Sequence, residues 1–302
     1  MLDFWFSVLE QGLLFAVMVL GVYITYKILD FPDLTVDGSF PLGAAVMAAS
    51  LVKGNSPIIG VFLAFVAGML AGGVTGFLHV KLKITNLLSG ILVMIGLYSI
   101  NIRIMGRANV PLFQHQTLFT GTIPSLLIIL LFVLCSKILL DLFLKTKFGF
   151  LIKATGDNPQ LVTSLGIPLG VIKIIALMIS NGFVALSGAL VAQHQSFADV
   201  GMGSGVVVMG LASIILGEVL LRKIPLIAPT TMAIVGSILY KLSIACALKL
   251  KFPSTDLKLI TAVIVIAALS MNQTAEFLNP QNWFKKEEGF IVKNTEPMQN
   301  IL

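Results

Sequence analysis

Long apolar segments dominate this 302-residue sequence and restrict what it can fold into. A helix needs about 20 predominantly apolar residues to cross the hydrocarbon core of a bilayer. Eight segments fit this requirement: 8–28, 57–80, 86–105, 123–144, 170–192, 204–221, 225–248 and 257–272. A ninth apolar segment, 40–52, is too short to cross alone. The pattern predicts an all-α polytopic membrane protein with about 8–9 transmembrane helices.

The low charge content supports this class. Charged residues make up 11% of the chain, whereas soluble proteins carry about 25%. This number of charged residues is too small to cover the surface of a soluble protein. Most of the surface must therefore face lipid or partner subunits. We assign 1–272 to a transmembrane domain and 273–302 to a polar tail, expected in the cytosol. Asp3 and Glu10 stand where a cleavable signal peptide has positive charge, so the first span is expected to be retained.

The positions of the basic residues predict the orientation. They lie at the ends of apolar segments, which is typical of topology signals and not of a nucleic-acid site. With the 145–169 loop in the cytosol and 40–52 counted as a crossing, twelve Lys and Arg residues lie on the cytosolic side and six on the outer side. This excess predicts an outer N-terminus and a cytosolic C-terminus.

Small residues at helical spacing predict close helix packing. One stripe repeats every fourth residue: Gly60, Ala64, Gly68, Gly72 and Gly76. A shorter small-residue face consists of Gly210, Ser213 and Gly217.

Residues 31–43, Phe-Pro-Asp-Leu-Thr-Val-Asp-Gly-Ser-Phe-Pro-Leu-Gly, interrupt the apolar pattern early in the chain. Two prolines and two glycines oppose a continuous helix, and Asp37 or Ser39 can begin a new one. A broken helix at membrane depth is tolerated only when it is buried in protein or lines a cavity. One interpretation is a discontinuous helix whose Thr35, Asp37 and Ser39 line a translocation path. The alternative is an ordinary cytosolic turn capped by Asp37.

The 145–167 segment is the longest polar interruption between spans. Asp157 or Asn158 can cap a short helix with Pro159 in its first turn. We expect this helix to be a cytosolic docking element, with an interfacial helix lying on lipid as the alternative. Its predicted apolar face, at positions i, i+1 and i+4, consists of Leu161, Val162 and Leu165.

Motifs for catalysis or nucleotide binding are missing from the sequence. It contains no G-x-x-x-x-G-K-[ST] loop and no recognisable Ser-His-Asp or Cys-His signature. Its three histidines are too far apart in sequence to form a recognisable metal motif. Glu218 is the most isolated intramembrane acid and a weak functional candidate. We therefore expect no enzyme activity and no cofactor of its own.

The polar segments carry a family resemblance. Segment 145–167 resembles the cytoplasmic signature of permease subunits from the branched-chain amino acid and ribose branch of bacterial ABC importers. The matching positions are Gly149, Asn158, Pro159, Gly166 and Ile167. Segment 33–39 resembles the family's polar break after the first span, and 31–39 is most similar to predicted tryptophan or tyrosine importer permeases. The resemblance covers about residues 5–272.

The resemblance implies a type II importer fold in the bacterial inner membrane. It implies a homo- or heterodimer of permeases, cytosolic ATPases that bind ATP and Mg²⁺, and an extracytoplasmic solute-binding protein. The solute would be small and polar, such as an aromatic or branched-chain amino acid. The 145–167 loop would be the coupling helix, through Lys153, Asp157, Asn158, Pro159, Leu161, Val162, Leu165 and Gly166. The main alternative is an ATPase-independent secondary transporter or channel.

Overall fold

The computed structural model describes residues 2–221, 224, 227–249, 259–263 and 266. The helices are α1 (Leu2–Val22), α2 (Val36–Val52), α3 (Pro57–Lys81), α4 (Asn86–Met105), α5 (Ser125–Lys145), α6 (Lys147–Asp157), α7 (Pro159–Ser164), α8 (Leu169–Gln195), α9 (Val206–Leu221) and α10 (Pro229–Lys249). A π-helical turn, Tyr23–Ile28, extends α1, and a 3₁₀ turn, Val200–Gly203, precedes α9. Within the described residues, seven helices are long and apolar enough to span a membrane. The chain is a multi-pass membrane protein.

The predicted spans agree with the helices to within a few residues, apart from the first, whose helix begins at residue 2. The predicted span 257–272 lies largely outside the described residues, of which 259–263 are helical. The short apolar segment is a 17-residue helix, α2, that begins four residues earlier than the predicted start at 40. Pro41 lies within α2 without ending it. A proline one turn into a helix removes only one backbone hydrogen bond, so the helix continues.

The core of the bundle is built around α8, which packs against α3, α2 and α1. Glycines allow these contacts. A Cβ atom at Gly68 would overlap the Asn181 carbonyl oxygen, and one at Gly72 would overlap that of Leu177. The predicted close contact along the α3 stripe is confirmed. The small-residue face of α9 also packs closely, since a Cβ at Gly217 would overlap the Met232 carbonyl oxygen of α10.

A small two-stranded ribbon departs from the all-α expectation. β1 (Asn109–Pro111) pairs antiparallel with β2 (Phe197–Asp199), with Val110 opposite Ala198. The ribbon joins the α4–α5 connection to the α8–α9 connection. It lies at the C-terminal end of α8, whereas α6 and α7 precede its N-terminal end. Because 27 residues of helix span about 40 Å, the ribbon and the α6–α7 segment occupy opposite ends of the molecule.

Polar contacts connect the helices at both ends of the bundle. At the ribbon end, Glu10 of α1 accepts a hydrogen bond from Ser125 of α5, and its Oε2 lies 3.1 Å from Nε2 of His194 in α8. At the α6–α7 end, Lys27 Nζ lies 3.0 Å from Glu218 Oε2 of α9. Glu218 is therefore not the isolated acid that the sequence indicates, because the π-helical turn places Lys27 beside it.

Candidate functional sites

The break between α1 and α2 lies inside the bundle. Asp33 and Thr35 are buried, and Thr35 Oγ1 is 2.7 Å from Thr75 Oγ1 of α3. The backbone nitrogen of Leu34 lies against Gly90, in the first turns of α4. Because residues of α3 and α4 contact it and its polar side chains are buried, the segment is a discontinuity inside the bundle and not a turn in bulk solvent.

Asn181 of α8 organises the polar groups at this break. Its Nδ2 donates to Asp33 Oδ2 at 2.7 Å, and its Oδ1 accepts from Ser39 Oγ at 2.7 Å. Asp33 Oδ1 accepts from the backbone N–H of Thr35 at 2.9 Å, at the start of α2. The sequence analysis did not single out Asn181. The available signal was an Asn in the middle of an apolar span, beside Gly182.

Asp37 caps a helix, but not the one that the sequence predicts. Its Oδ1 accepts from the backbone N–H of Val207 at 2.8 Å, and its Oδ2 accepts from that of Gly205 at 3.1 Å. The first N–H groups of a helix have no partner within the helix, so the carboxylate of α2 completes the start of α9. Gly205 has φ +83°, which turns the chain into this position. Ser39, the other predicted cap of α2, bonds to Asn181 instead.

A cavity of about 530 Å³ lies beside Asp37, between α2, α4 and the 3₁₀ turn. Its walls include Asp37, Pro41, Met94, Tyr98, Asn101 and Ser204. Of the three residues predicted to line a path, Asp37 lies on this cavity, whereas Thr35 and Ser39 are buried in the hydrogen bonds described above. Asn101 was not predicted. It is fully buried, and its Nδ2 donates to the Gly38 carbonyl oxygen at 3.2 Å.

The predicted docking loop contains two helices and not one. Thr146 caps α6 by accepting a hydrogen bond from the Gly149 N–H at 3.2 Å. Gly149, Ile152 and Thr155 form the buried face of α6. A Cβ at Gly156 would overlap the carbonyl oxygen of Ile28. α6 therefore packs directly on the residue that ends the π-helical turn, just before the α1–α2 break.

The start of α7 is as the sequence predicts. Asn158 Oδ1 accepts from the Leu161 N–H at 3.1 Å, and Pro159 occupies the first helical position. Asp157 is instead the last residue of α6. Gly166, with φ +72°, ends this segment, and the Ile167 N–H bonds back to the Val162 carbonyl oxygen at 3.4 Å. This 6→1 bond with a left-handed glycine is typical of a helix C-terminus.

Two of the three residues predicted to form one apolar face of α7 share an exposed face, and the prediction is wrong for the third, Val162. Leu161 is 54% exposed and Leu165 is 65% exposed, but Val162 is 1% exposed. Adjacent helical residues point about 100° apart, so Val162 turns into the core while the two leucines face outward. Lys153 and Asp157 are also exposed. Phe150 of α6, which the sequence analysis missed, is 69% exposed on the same end of the molecule.

Comparison with known proteins identifies the family. Residues 4–269 match the model described as branched-chain amino acid transport system / permease component. The chain belongs to this permease family. The permease is 53% identical over 288 residues to the tyrosine transport system permease protein of Clostridioides difficile (strain R20291), covering 93% of this chain and 98% of that protein. The family resemblance seen in the polar segments is confirmed.

Two more distant proteins are also similar to the permease. The autoinducer 2 import system permease protein LsrC of Photorhabdus laumondii subsp. laumondii is 28% identical over 200 residues, covering 62% of this chain and 57% of that protein. The solved structure of PsaBC from Streptococcus pneumoniae in complex with Fab aligns with a TM-score of 0.53 and 14% identity, over 93% of this chain and 94% of that chain. The structural match shows a shared fold.

Proposed function

We propose that the permease forms the membrane path of an ATP-driven importer for an aromatic amino acid of the tyrosine class, in a bacterial cytoplasmic membrane. The observation that carries this proposal is the 53% identity, along nearly the whole chain, to a protein named as a tyrosine transport permease. Partner ATPases would bind ATP and Mg²⁺ and hydrolyse the ATP, since the sequence has no P-loop. A solute-binding protein and a second permease subunit would complete the importer.

The cavity beside Asp37 supports a path for a small solute. Its volume of about 530 Å³ falls within the usual range of small-molecule sites, about 300–1,000 Å³. Its walls combine apolar and aromatic side chains with a few polar groups, as such sites do. Pro41, Met94 and Tyr98 offer surface for an aromatic ring, and Asp37 and Asn101 offer hydrogen-bond acceptors.

Transport by the complete assembly tests the proposed function. The permease would be reconstituted in proteoliposomes with its partner ATPase and binding protein. We expect uptake of labelled tyrosine that requires ATP on the cytosolic face and exceeds uptake of leucine. An ATPase variant with its P-loop lysine changed to alanine is the control. Uptake driven by an ion gradient without the ATPase would favour a secondary transporter, and preferred uptake of leucine would overturn the solute class.

We further propose that the exposed surface of α6 and α7 docks the ATPase. Phe150, Leu161 and Leu165 supply exposed apolar contacts, and Lys153 and Asp157 supply charges at the rim. Capping at Thr146 and Asn158 holds both short helices in fixed conformations. A rigid element of this kind can carry motion between subunits. The contact of Gly156 with Ile28 connects it to the α1–α2 break, and so to the proposed path.

Charge substitution on α7 tests the docking surface. We expect the double variant Leu161→Asp and Leu165→Asp to lose the ATPase on affinity purification and to lose ATP-driven uptake, because buried carboxylates replace apolar contacts. Gln160→Asp is the matched control, since it places an acid on the same helix at an exposed position near its N-terminus. Normal ATPase association and uptake in the double variant would exclude this surface as the coupling element.

A further inference from the structure

Asn101, one of the residues that line the cavity, has an unsatisfied hydrogen-bond acceptor. The side chain is fully buried, and its Oδ1 has no hydrogen-bond partner in the part of the chain that the structure describes. The orientation of the amide is fixed, because Nδ2 donates to the Gly38 carbonyl oxygen, which can only accept. A flipped amide would bring two oxygens together. A buried acceptor without a partner costs desolvation free energy. We therefore expect Oδ1 to accept a hydrogen bond from a group that is not part of the bundle.

Asp37 places a charged acceptor on the same cavity. Each of its oxygens accepts one backbone N–H from the start of α9 and keeps capacity for a second donor. Among the described residues, no basic side chain forms an ion pair with Asp37. Within the described part of the chain, the residues that line the cavity therefore include one carboxylate without a cationic partner and one amide oxygen without a hydrogen-bond partner.

We propose that Asp37 and Asn101 form the subsite that binds the primary ammonium group of the solute as it passes through the permease. An ammonium carries three donors and no acceptor, and its positive charge complements the carboxylate. Tyr98, Met94 and Pro41, on the same cavity, contact the apolar body of the solute. This inference rests on the proposed function, because it makes the cavity part of the transport path.

Equilibrium binding to the purified permease–ATPase complex, without the binding protein, tests the subsite. Labelled tyrosine is the probe. Asn101→Leu removes the whole amide at similar side-chain size, both the free acceptor and the donor to the Gly38 carbonyl oxygen. We expect it to weaken binding by about 10-fold or more, the usual effect of losing a hydrogen bond to a charged group. Ser50→Ala is the matched control, because Ser50 Oγ is also buried without a partner but lies outside this cavity. The control should bind tyrosine as the wild type does.

Competition on the wild-type complex tests the same inference without any substitution. Tyramine, which keeps the ammonium group, should displace labelled tyrosine, and 4-hydroxyphenylpropionate, which lacks it, should not. Equal displacement by both compounds, or unchanged binding in Asn101→Leu, would overturn the subsite. Failure of the wild type to bind tyrosine, leucine or tyramine would overturn it as well. If leucine binds and tyrosine does not, and Asn101→Leu weakens leucine binding, the subsite stands and only the proposed solute is wrong.

Discussion

At the scale of single residues, polar side chains inside the bundle hold the broken segment in place. Asn181 bonds both to Asp33, in the break, and to Ser39, in the first turns of α2. These bonds connect α8 both to the break and to the helix that follows it. Buried polar groups need such partners, because water cannot reach them to take their place. Asn181 therefore helps to fix the position of α2 against α8.

Replacing Asn181 by leucine should destabilise the permease strongly. The change leaves the Asp33 Oδ2 atom and the Ser39 hydroxyl without these partners, at roughly 1–3 kcal/mol for each group. We expect a clear fall in the thermal midpoint of the detergent-solubilised protein, followed by fluorescence-detected size exclusion. Ser180→Ala, which removes one hydroxyl bond to the Gly21 carbonyl oxygen, should cost only about 1 kcal/mol. Equal midpoints for the two variants would contradict the role given to Asn181.

At the scale of elements, glycine contacts decide how closely the helices pack. α3 lies against α8 along its stripe, and α2 approaches α8 just as closely, since a Cβ at Gly43 would overlap the Ala185 carbonyl oxygen. Such backbone contacts gain van der Waals packing that longer side chains would prevent. Gly96 of α4 differs from these glycines, because it has open space where its Cβ would lie. Spacing alone predicted the α3 stripe, and the structure identifies α8 as its partner.

Enlarging the α3 glycines should disrupt packing, whereas enlarging Gly96 should not. Gly68→Leu or Gly72→Leu forces α3 away from α8, at a cost of roughly 1–3 kcal/mol by overpacking. We expect these variants to give aggregated or broadened profiles on size-exclusion chromatography. Gly96→Leu is the control, because Gly96 is exposed and a Cβ at this position meets no neighbouring atom. If all three variants elute as the wild type does, the stripe is not a tight contact.

At the scale of the whole molecule, the two ends of the bundle differ in character. One end carries the α6–α7 segment, with its exposed lysines, and the other carries the β-ribbon and the Glu10–His194 pair. The excess of basic residues on the first side indicates that it faces the cytosol. This orientation rests on the prediction that α2, a helix of 17 residues, counts as a crossing.

Cysteine labelling in intact cells tests this orientation. In a background with Cys135 and Cys246 changed to alanine, Lys153→Cys should be protected from a membrane-impermeant maleimide, and Phe113→Cys should react. Both positions are exposed, and Phe113 lies on the ribbon side. Permeabilising the cells should make the residue-153 cysteine reactive, which controls for intrinsic accessibility. Labelling at 153 and protection at 113 in intact cells would reverse the assigned topology.

The sequence by itself determined the membrane class, most spans, a helix start at Asp157 or Asn158, and the close packing of the α3 stripe. These features follow from local rules: the length of an apolar run, the capping of a helix, and the periodicity of small residues. The same rules located the beginning of the polar break, but residues 36–43 are helical although they include Gly38, Pro41 and Gly43.

Only the tertiary structure decided which distant groups meet. Asp37 caps α9 and not α2, because folding brings the open start of α9 beside the first turn of α2. Val162 is buried, and Lys27 pairs with Glu218, because other helices pack beside these residues in the folded protein. The cavity that joins Asp37 to Asn101 brings together residues 64 positions apart (101 − 37) on separate helices. Capping between helices and the burial of a side chain depend on contacts between residues that are distant in the sequence. Patterns along the sequence do not show which distant residues come together.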